Sequence, residues 1–268
     1  MDYVFGFIGA GNMATAIIKG LIGNSVVEPD KICVCDVDMD KAQHLSTEIG
    51  IEVVSEAEKL AEMCHIIVLA VKPQNYAEVL EQIKGTMTEE KVIVSIAAGI
   101  SINYVREQLG MKCPVVRVMP NTPLLLGKGA TAICPSENVS TRDFGIVKSM
   151  FSLNGTAEVV EEEHMNSIIS VNGSSPAYIY MFAKAVVEYA KSQGIDENTA
   201  LKLFCATLEG SAAMLMESGD DPDTLIGKVC SKGGTTIEAV NKLKENNFCE
   251  TIKEAMDACT KRAEELGK

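Results

Sequence analysis

The chain reads as an α/β domain over residues 1–160 followed by an all-α domain over residues 161–268. Three observations carry that reading. Short β-branched runs alternate with polar-flanked helical segments up to about Val160, the form of a parallel sheet with crossover helices. Beyond Val160 the alternation stops and nearly every segment has helical spacing. The length of 268 residues, 47% of them hydrophobic, exceeds the usual size of one core and supplies apolar surface for two.

Taken in order, strands are expected at 3–8, 31–35, 51–53, 66–70, 92–95, 115–118, 130–133 and 157–160, with helices in the intervals. Gly23 can end the first helix, Ser55 with Glu58 has the capping-box spacing, and 141–151 has the pattern of a later helix. Directly after the first strand, Gly9-Ala10-Gly11-Asn12-Met13-Ala14 is a G-x-G-x-x-A fingerprint that opens a helix. Gly9 makes the tight turn, Gly11 lets a pyrophosphate approach the backbone beside Asn12 and Met13, and Ala14 permits close helix packing. Asp36 closes the second strand, where an acid hydrogen-bonds a ribose 2′-hydroxyl and repels a 2′-phosphate. That favours NADH over NADPH, although Lys41 is close enough in sequence to reach such a phosphate. The first domain is therefore expected to be a Rossmann NAD(P)-binding domain.

Further strand ends carry Ala70-Val71-Lys72-Pro73-Gln74, then Ser95-Ile96-Ala97-Ala98-Gly99, then Arg117-Val118-Met119-Pro120-Asn121-Thr122-Pro123. Ligands of open α/β sheets bind outside such ends. Pro73 fixes a loop beside the cofactor, Ala97 and Ala98 leave room for a flat ring, and Asn121 offers polar contacts toward the nicotinamide or substrate.

In the second domain a helix over 161–170 leads to Asn172-Gly173-Ser174-Ser175-Pro176, where Ser174 or Ser175 caps and Pro176 sits in the first turn. The next helix, to about residue 192, has Lys184, Glu188 and Lys191 on one stripe and apolar groups elsewhere. One neighbouring helix cannot cover that much surface, so an intersubunit helix is expected. Near the end, Ser231-Lys232-Gly233-Gly234-Thr235-Thr236 forms a second glycine-rich helix start, and Thr235 with Glu238 has the capping-box spacing. Such a loop suits a small carboxylate or phosphate, so the chain holds one anion cradle for a cofactor and another for an acidic substrate.

Composition excludes other classes. A formal charge of −13 argues against reading a nucleic-acid backbone. The longest apolar run, 177–187, is interrupted by Lys184 and is too short to span a bilayer. Nine cysteines without a C-x-x-C pair read as reduced cytosolic thiols, and three histidines, at 44, 65 and 164, stand without metal-ligand spacing, so no metal is expected. The amino terminus has no basic n-region or cleavage signal, which points to the cytoplasm.

Taken together, the segments resemble the pyrroline-5-carboxylate reductase family over the whole length. The matches in order are the Gly6 to Ala14 start, Val71-Lys72-Pro73-Gln74, Ala97-Ala98-Gly99, Arg117 to Pro123, Gly173 to Tyr178, and Gly233-Gly234-Thr235-Thr236. The family pattern usually has serine-glycine-proline at Ser174-Ser175-Pro176 and serine-proline-glycine-glycine at Ser231-Lys232-Gly233-Gly234. The resemblance implies a Rossmann domain joined to an all-helical dimerisation domain, an active site where the two meet across partners, and dimers that can assemble into decamers. It also implies reduction of a cyclic imino acid to proline with NADPH or NADH, the last step of proline biosynthesis. On that reading the loop Ser231 to Thr236 holds the substrate carboxylate through Ser231, Gly233, Gly234 and Thr235, and Thr236 contacts the imine nitrogen as the catalytic residue. Two other readings stand beside it. One is a β-hydroxyacid dehydrogenase relative using Lys184 or Lys191; the other is a catalytically idle nucleotide-binding homologue.

Overall fold

The computed structural model describes residues 3–267; Met1, Asp2 and Lys268, which the domain limits above include, lie outside the described residues. Eight strands form one sheet: β1 (Tyr3–Ile8), β2 (Ile32–Cys35), β3 (Glu52–Val53), β4 (Cys64–Leu69), β5 (Val92–Ser95), β6 (Val115–Met119), β7 (Gly129–Pro135) and β8 (Gly155–Val159). Their order is β3-β2-β1-β4-β5-β6-β7-β8. The helices between them are α1 (Asn12–Gly23), α2 (Met39–Ile49), α3 (Ala57–Met63), α4 (Tyr76–Ile83), α5 (Ile102–Leu109) and α6 (Thr141–Ser152).

Strand neighbours alternate in direction of side chain, so the sheet carries a core on each face. Phe5, Phe7, Ile66, Val68 and Val94 pack with α1, α2 and α6, while Ile8, Cys33, Ile67, Leu69 and Ile93 pack with α3, α4 and α5. One expectation is corrected here. Every pairing is parallel except β6 with β7, which run antiparallel. The connection between those two holds only the 3₁₀ turn Thr122–Leu126, too short for a crossover helix.

The remaining helices are α7 (Ser175–Ser192), α8 (Glu197–Glu217), α9 (Pro222–Val229), α10 (Thr235–Glu245) and α11 (Phe248–Leu266). By compactness the chain divides into residues 1–176 with 257–268, and residues 177–256. The sheet ends at Val159, and the segment that follows stays with the sheet unit, where Met165 and Ile169 are buried, so the compact units divide at 176 and not at the expected 160. The last part of α11 also belongs to the first unit, where a Cβ on Gly99 would stand 2.5 Å from the Ala263 carbonyl oxygen.

Local helix signals fared unevenly. Glu56, not Ser55, precedes α3, and no side chain caps it. Gly23 is the last residue of α1, and Asn24 closes the helix through its own N–H to the Gly20 carbonyl. The expected helix at 161–170 is a 3₁₀ turn, Glu162–His164, followed by a wide π turn, Ile169–Gly173. Ser175 is already helical, and its hydroxyl donates to the Val171 carbonyl at 2.6 Å rather than capping; Pro176 follows in the first turn as expected. α10 begins at Thr235, but Gly234 is its N-cap and the Thr235–Glu238 capping box does not form.

Candidate functional site

Parallel strands bring the carboxyl ends of β1, β2, β4 and β5 to one edge, and β1 is the point where the chain reverses the direction in which it adds strands. A crevice opens outside that point. Gly9 follows β1 with φ +109°, a conformation that L side chains rarely adopt, and a Cβ there would stand 2.6 Å from the Ala70 carbonyl oxygen. Its N–H donates to the Cys35 carbonyl at 2.7 Å, so this residue ties together the ends of β1, β2 and β4. Gly11 is the N-cap of α1, has nothing within 4 Å of a notional Cβ, and no side chain caps the helix. The first N–H groups of α1 are thereby open to an anion. Asn12 starts the helix exposed, and Met13 is half-buried against the core.

Asp36 stands at the end of β2 with both carboxylate oxygens engaged. Oδ2 accepts from the Ala10 N–H at 2.6 Å and Oδ1 from the Asp38 N–H at 2.9 Å. Beside it lies a cavity of about 540 Å³ whose walls include Gly9, Asp36, Val37, Ala57, Val71 and Val79. The structure therefore brings Gly9, Asp36 and Val71 into one space, with Ala70 half-buried at its edge. Lys72 is exposed just beyond, where Pro73 opens a short 3₁₀ turn. An open loop, an uncapped helix start and a slot with both apolar and acidic walls fit a dinucleotide.

Three expectations shift in detail. Lys41 is held by Asp38, Nζ to Oδ2 at 2.9 Å, rather than left free for a phosphate. Ala97 is buried in the core, whereas Ile96 and Ala98 are part-exposed on that loop. Asn121 does not offer its amide to a ligand: Nδ2 donates to the Asn172 carbonyl at 3.1 Å and Oδ1 accepts from the Ala130 N–H at 2.9 Å. Asn172 answers by donating to the Met119 and Ala130 carbonyls at 2.7 and 2.9 Å. The pair clamps the π turn to β6 and β7. In the sequence Asn172 stood only as the start of the segment before α7, with nothing to mark it as a clamp, because its partners lie more than 40 positions away in the chain.

Arg117 is also structural. It is 4% exposed, donates to Asn166 Oδ1 at 2.5 Å and lies 3.7 Å from Glu162, whose Oε1 also accepts the Ile102 N–H at 2.7 Å. Burial pulls the guanidinium pKa down and the Glu162 charge opposes that.

The second glycine-rich segment lies in the other compact unit. The Gly234 N–H bonds the Ser231 carbonyl at 3.0 Å, and Gly233 has φ +71°. This is the form of a type II turn, with Lys232 at its second position, where proline is favoured, and glycine at its third. The turn sets Ser231, Thr235 and Thr236 at the head of α10, whose N-cap uses no side chain. Backbone N–H groups and hydroxyls there can hold a carboxylate. Lys184 and Lys191 are exposed and paired with Glu188 at 3.7 Å and Glu197 at 2.6 Å, so neither stands as a free catalytic amine. Among the described residues no group of His, Cys, Asp and Glu could hold a metal ion.

Comparisons with known proteins agree along the whole chain. Residues 162–266 match the family model for pyrroline-5-carboxylate reductase dimerisation, and residues 4–99 match that of the NADP oxidoreductases described as coenzyme F420-dependent. The pyrroline-5-carboxylate reductase of Escherichia coli (strain K12) is 38% identical over 268 residues, covering 100% of both chains. The crystal structure of Plasmodium falciparum pyrroline carboxylate reductase with NADP bound is 28% identical, with a TM-score of 0.91 over 100% of this chain and 99% of that one. A pyrroline-5-carboxylate reductase from Coxiella burnetii is 32% identical, with a TM-score of 0.89 and 100% coverage of both. With a dinucleotide crevice in one unit, a carboxylate-sized turn in the other and full-length likeness at these identities, the chain belongs to the pyrroline-5-carboxylate reductase family.

Proposed function

We propose that this protein reduces L-1-pyrroline-5-carboxylate to L-proline with NAD(P)H, the last step of proline biosynthesis. The observation that carries the reading is the pair of anion-receptive helix starts, at Gly11 and at Gly234, neither of which is capped by a side chain. One suits the pyrophosphate of a dinucleotide and the other the carboxylate of a small imino acid. When bound, the reduced nicotinamide supplies the hydride.

The chain's own part is positioning. Gly9, Gly11, Asn12 and Met13 receive the pyrophosphate at the start of α1, and Asp36 meets the adenosine ribose. Val71, Lys72, Pro73 and Ala98 border the cofactor at the neighbouring strand ends. Ser231, Gly233, Gly234 and Thr235 hold the carboxylate, and Thr236 stands one position into α10 to contact the imine nitrogen. A protonated cyclic imine is already electrophilic, so fixed orientation supplies most of what the reaction needs and no histidine or aspartate base is required.

Residues 161–268 act as the dimerisation and substrate domain, and the enzyme works as a homodimer. Among the described residues of 177–256 only Ala190 and Ala200 are buried, while Tyr180, Met181, Phe182, Tyr189 and Met216 are half or more exposed. An unpartnered apolar surface of that extent is the mark of an interface. A reducing cytoplasm suits the free Cys33 and Cys64 thiols, which lie 3.2 Å apart. Among the described residues no helix is long and apolar enough to cross a membrane.

The direct test adds pyrroline-5-carboxylate to the purified protein and follows NADH and NADPH oxidation by absorbance. Saturable turnover with proline as product is expected; nucleotide binding without turnover would leave an idle homologue instead.

A further inference from the structure

We propose that the crevice selects NADH over NADPH, with Asp36 as the discriminating residue and Glu56, Glu58 and Glu78 as a charged wall around the ribose; this rests on the crevice being the dinucleotide site. Asp36, Glu56, Glu58 and Glu78 all line the cavity, and no lysine, arginine or histidine lines it among the described residues. The cations nearest in sequence are already paired: Lys41 with Asp38 at 2.9 Å, and Lys59 with Glu56 at 3.0 Å. The second contact offsets part of the Glu56 charge and Lys41 lies close enough to act on Asp36 through space, while Glu58 and Glu78 form no ion pair among the described residues.

Asp36 is also fixed in place. Its two oxygens accept from the Ala10 and Asp38 N–H groups, which holds the carboxylate on the cavity wall in one orientation. An ionised carboxylate only accepts hydrogen bonds, with lone pairs to spare beyond those two contacts. Ribose 2′- and 3′-hydroxyls donate and therefore match it. A 2′-phosphate carries roughly −1.5 to −2 charge and likewise only accepts, so it meets like charge, with the neutral donors Ser55, Asn75 and Gln82 on the walls but no cation to neutralise it. Val37, Ala57, Val71 and Val79 add apolar wall that suits the adenine ring. The fold thus offers a place for the adenosine but no counter-charge for the extra phosphate.

The experiment measures dissociation constants of NAD⁺ and NADP⁺ by calorimetry at low and high salt, on the full-length protein and on Asp36→Asn and Glu78→Gln. NADP⁺ is expected to bind at least about tenfold more weakly at low salt, with the gap narrowing as salt screens the carboxylates. Glu78→Gln, on the exposed side of α4, is expected to tighten NADP⁺ while leaving NAD⁺ near its original value. Asp36→Asn is expected to tighten NADP⁺ and weaken NAD⁺. Equal or tighter NADP⁺ binding by the unaltered protein, or a gap that neither variant moves, overturns the proposal while leaving the reductase reading intact. Failure to bind either nucleotide overturns both. A merely structural role for Asp36 would move the two nucleotides together, and Glu78→Gln separates that case.

Discussion

At the residue scale, the turn before α10 concentrates the chemistry. Thr236 is half-buried one step into the helix, and Thr236→Ala removes its hydroxyl together with one methyl group. We expect kcat/KM to fall by about tenfold or more, the scale of one lost hydrogen bond to a charged group, with little change in melting temperature. Unchanged kinetics in the folded variant would take Thr236 out of the site. Lys232 occupies the turn position that favours proline, and its N–H makes no turn hydrogen bond. Lys232→Pro is expected to raise stability by about 0.4–1 kcal/mol by restricting the unfolded chain. The same change removes a cation beside the carboxylate site, so KM for the imino acid is expected to rise at low salt. A lower melting temperature would show that Lys232 has a backbone conformation that proline cannot take.

At the element scale, long-range polar contacts decide how secondary elements lock together. His65 on β4 lies 2.8 Å from Asp143 on α6, and the Ser140 hydroxyl completes the cap of that helix through the Asp143 N–H and Oδ2. Burial pushes the Asp143 pKa up, but the Ser140 hydroxyl and His65 outweigh it and the net shift is down. A carboxylate with a depressed folded pKa stabilises the fold above its unfolded value, near 3.9, and that stabilisation disappears as pH falls through the lower folded value. Asp143→Asn is therefore expected to cost about 1–2 kcal/mol at neutral pH and nothing at the most acidic end of the stability curve. Urea midpoints measured from pH 7 down to pH 2 should converge; a constant offset would assign the loss to packing instead. Lys91 shows the same principle in a purely structural role. Its buried ammonium donates to the Ala61, Glu62 and Cys64 carbonyls, satisfying the carboxyl end of α3, and burial lowers its pKa.

At the scale of the whole molecule, the two units have different kinds of surface. The sheet unit encloses cores on both faces, whereas α7 to α10 leave Ile179, Met181, Phe182, Leu203 and Met216 exposed. A helical unit with so little buried apolar surface cannot offset the entropy of ordering its own chain. Its stability is tied to association, so the melting temperature should rise with protein concentration. Sedimentation is expected to show a dimer or a multiple of it, and Met181→Glu to shift the protein toward monomer with loss of activity. A monomer that is fully active at nanomolar concentration would exclude this assembly.

What the sequence determined by itself was what depends on near neighbours and periodicity. The eight strand positions followed from β-branched runs and differ from the structure by a few residues at most. The fingerprint at Gly9 followed from glycines whose conformational need is local, and the apolar stripe of α7 was visible at helical spacing. Tertiary structure decided what depends on groups far apart in the chain. The antiparallel turn of β7, the use of Asn121 in a clamp with Asn172, the burial of Ala97 and the return of α11 to Gly99 all rest on contacts over long sequence separations. Side chains such as Asn121 offer the same donors and acceptors to a ligand or to a distant carbonyl, and only packing determines which partner is within reach.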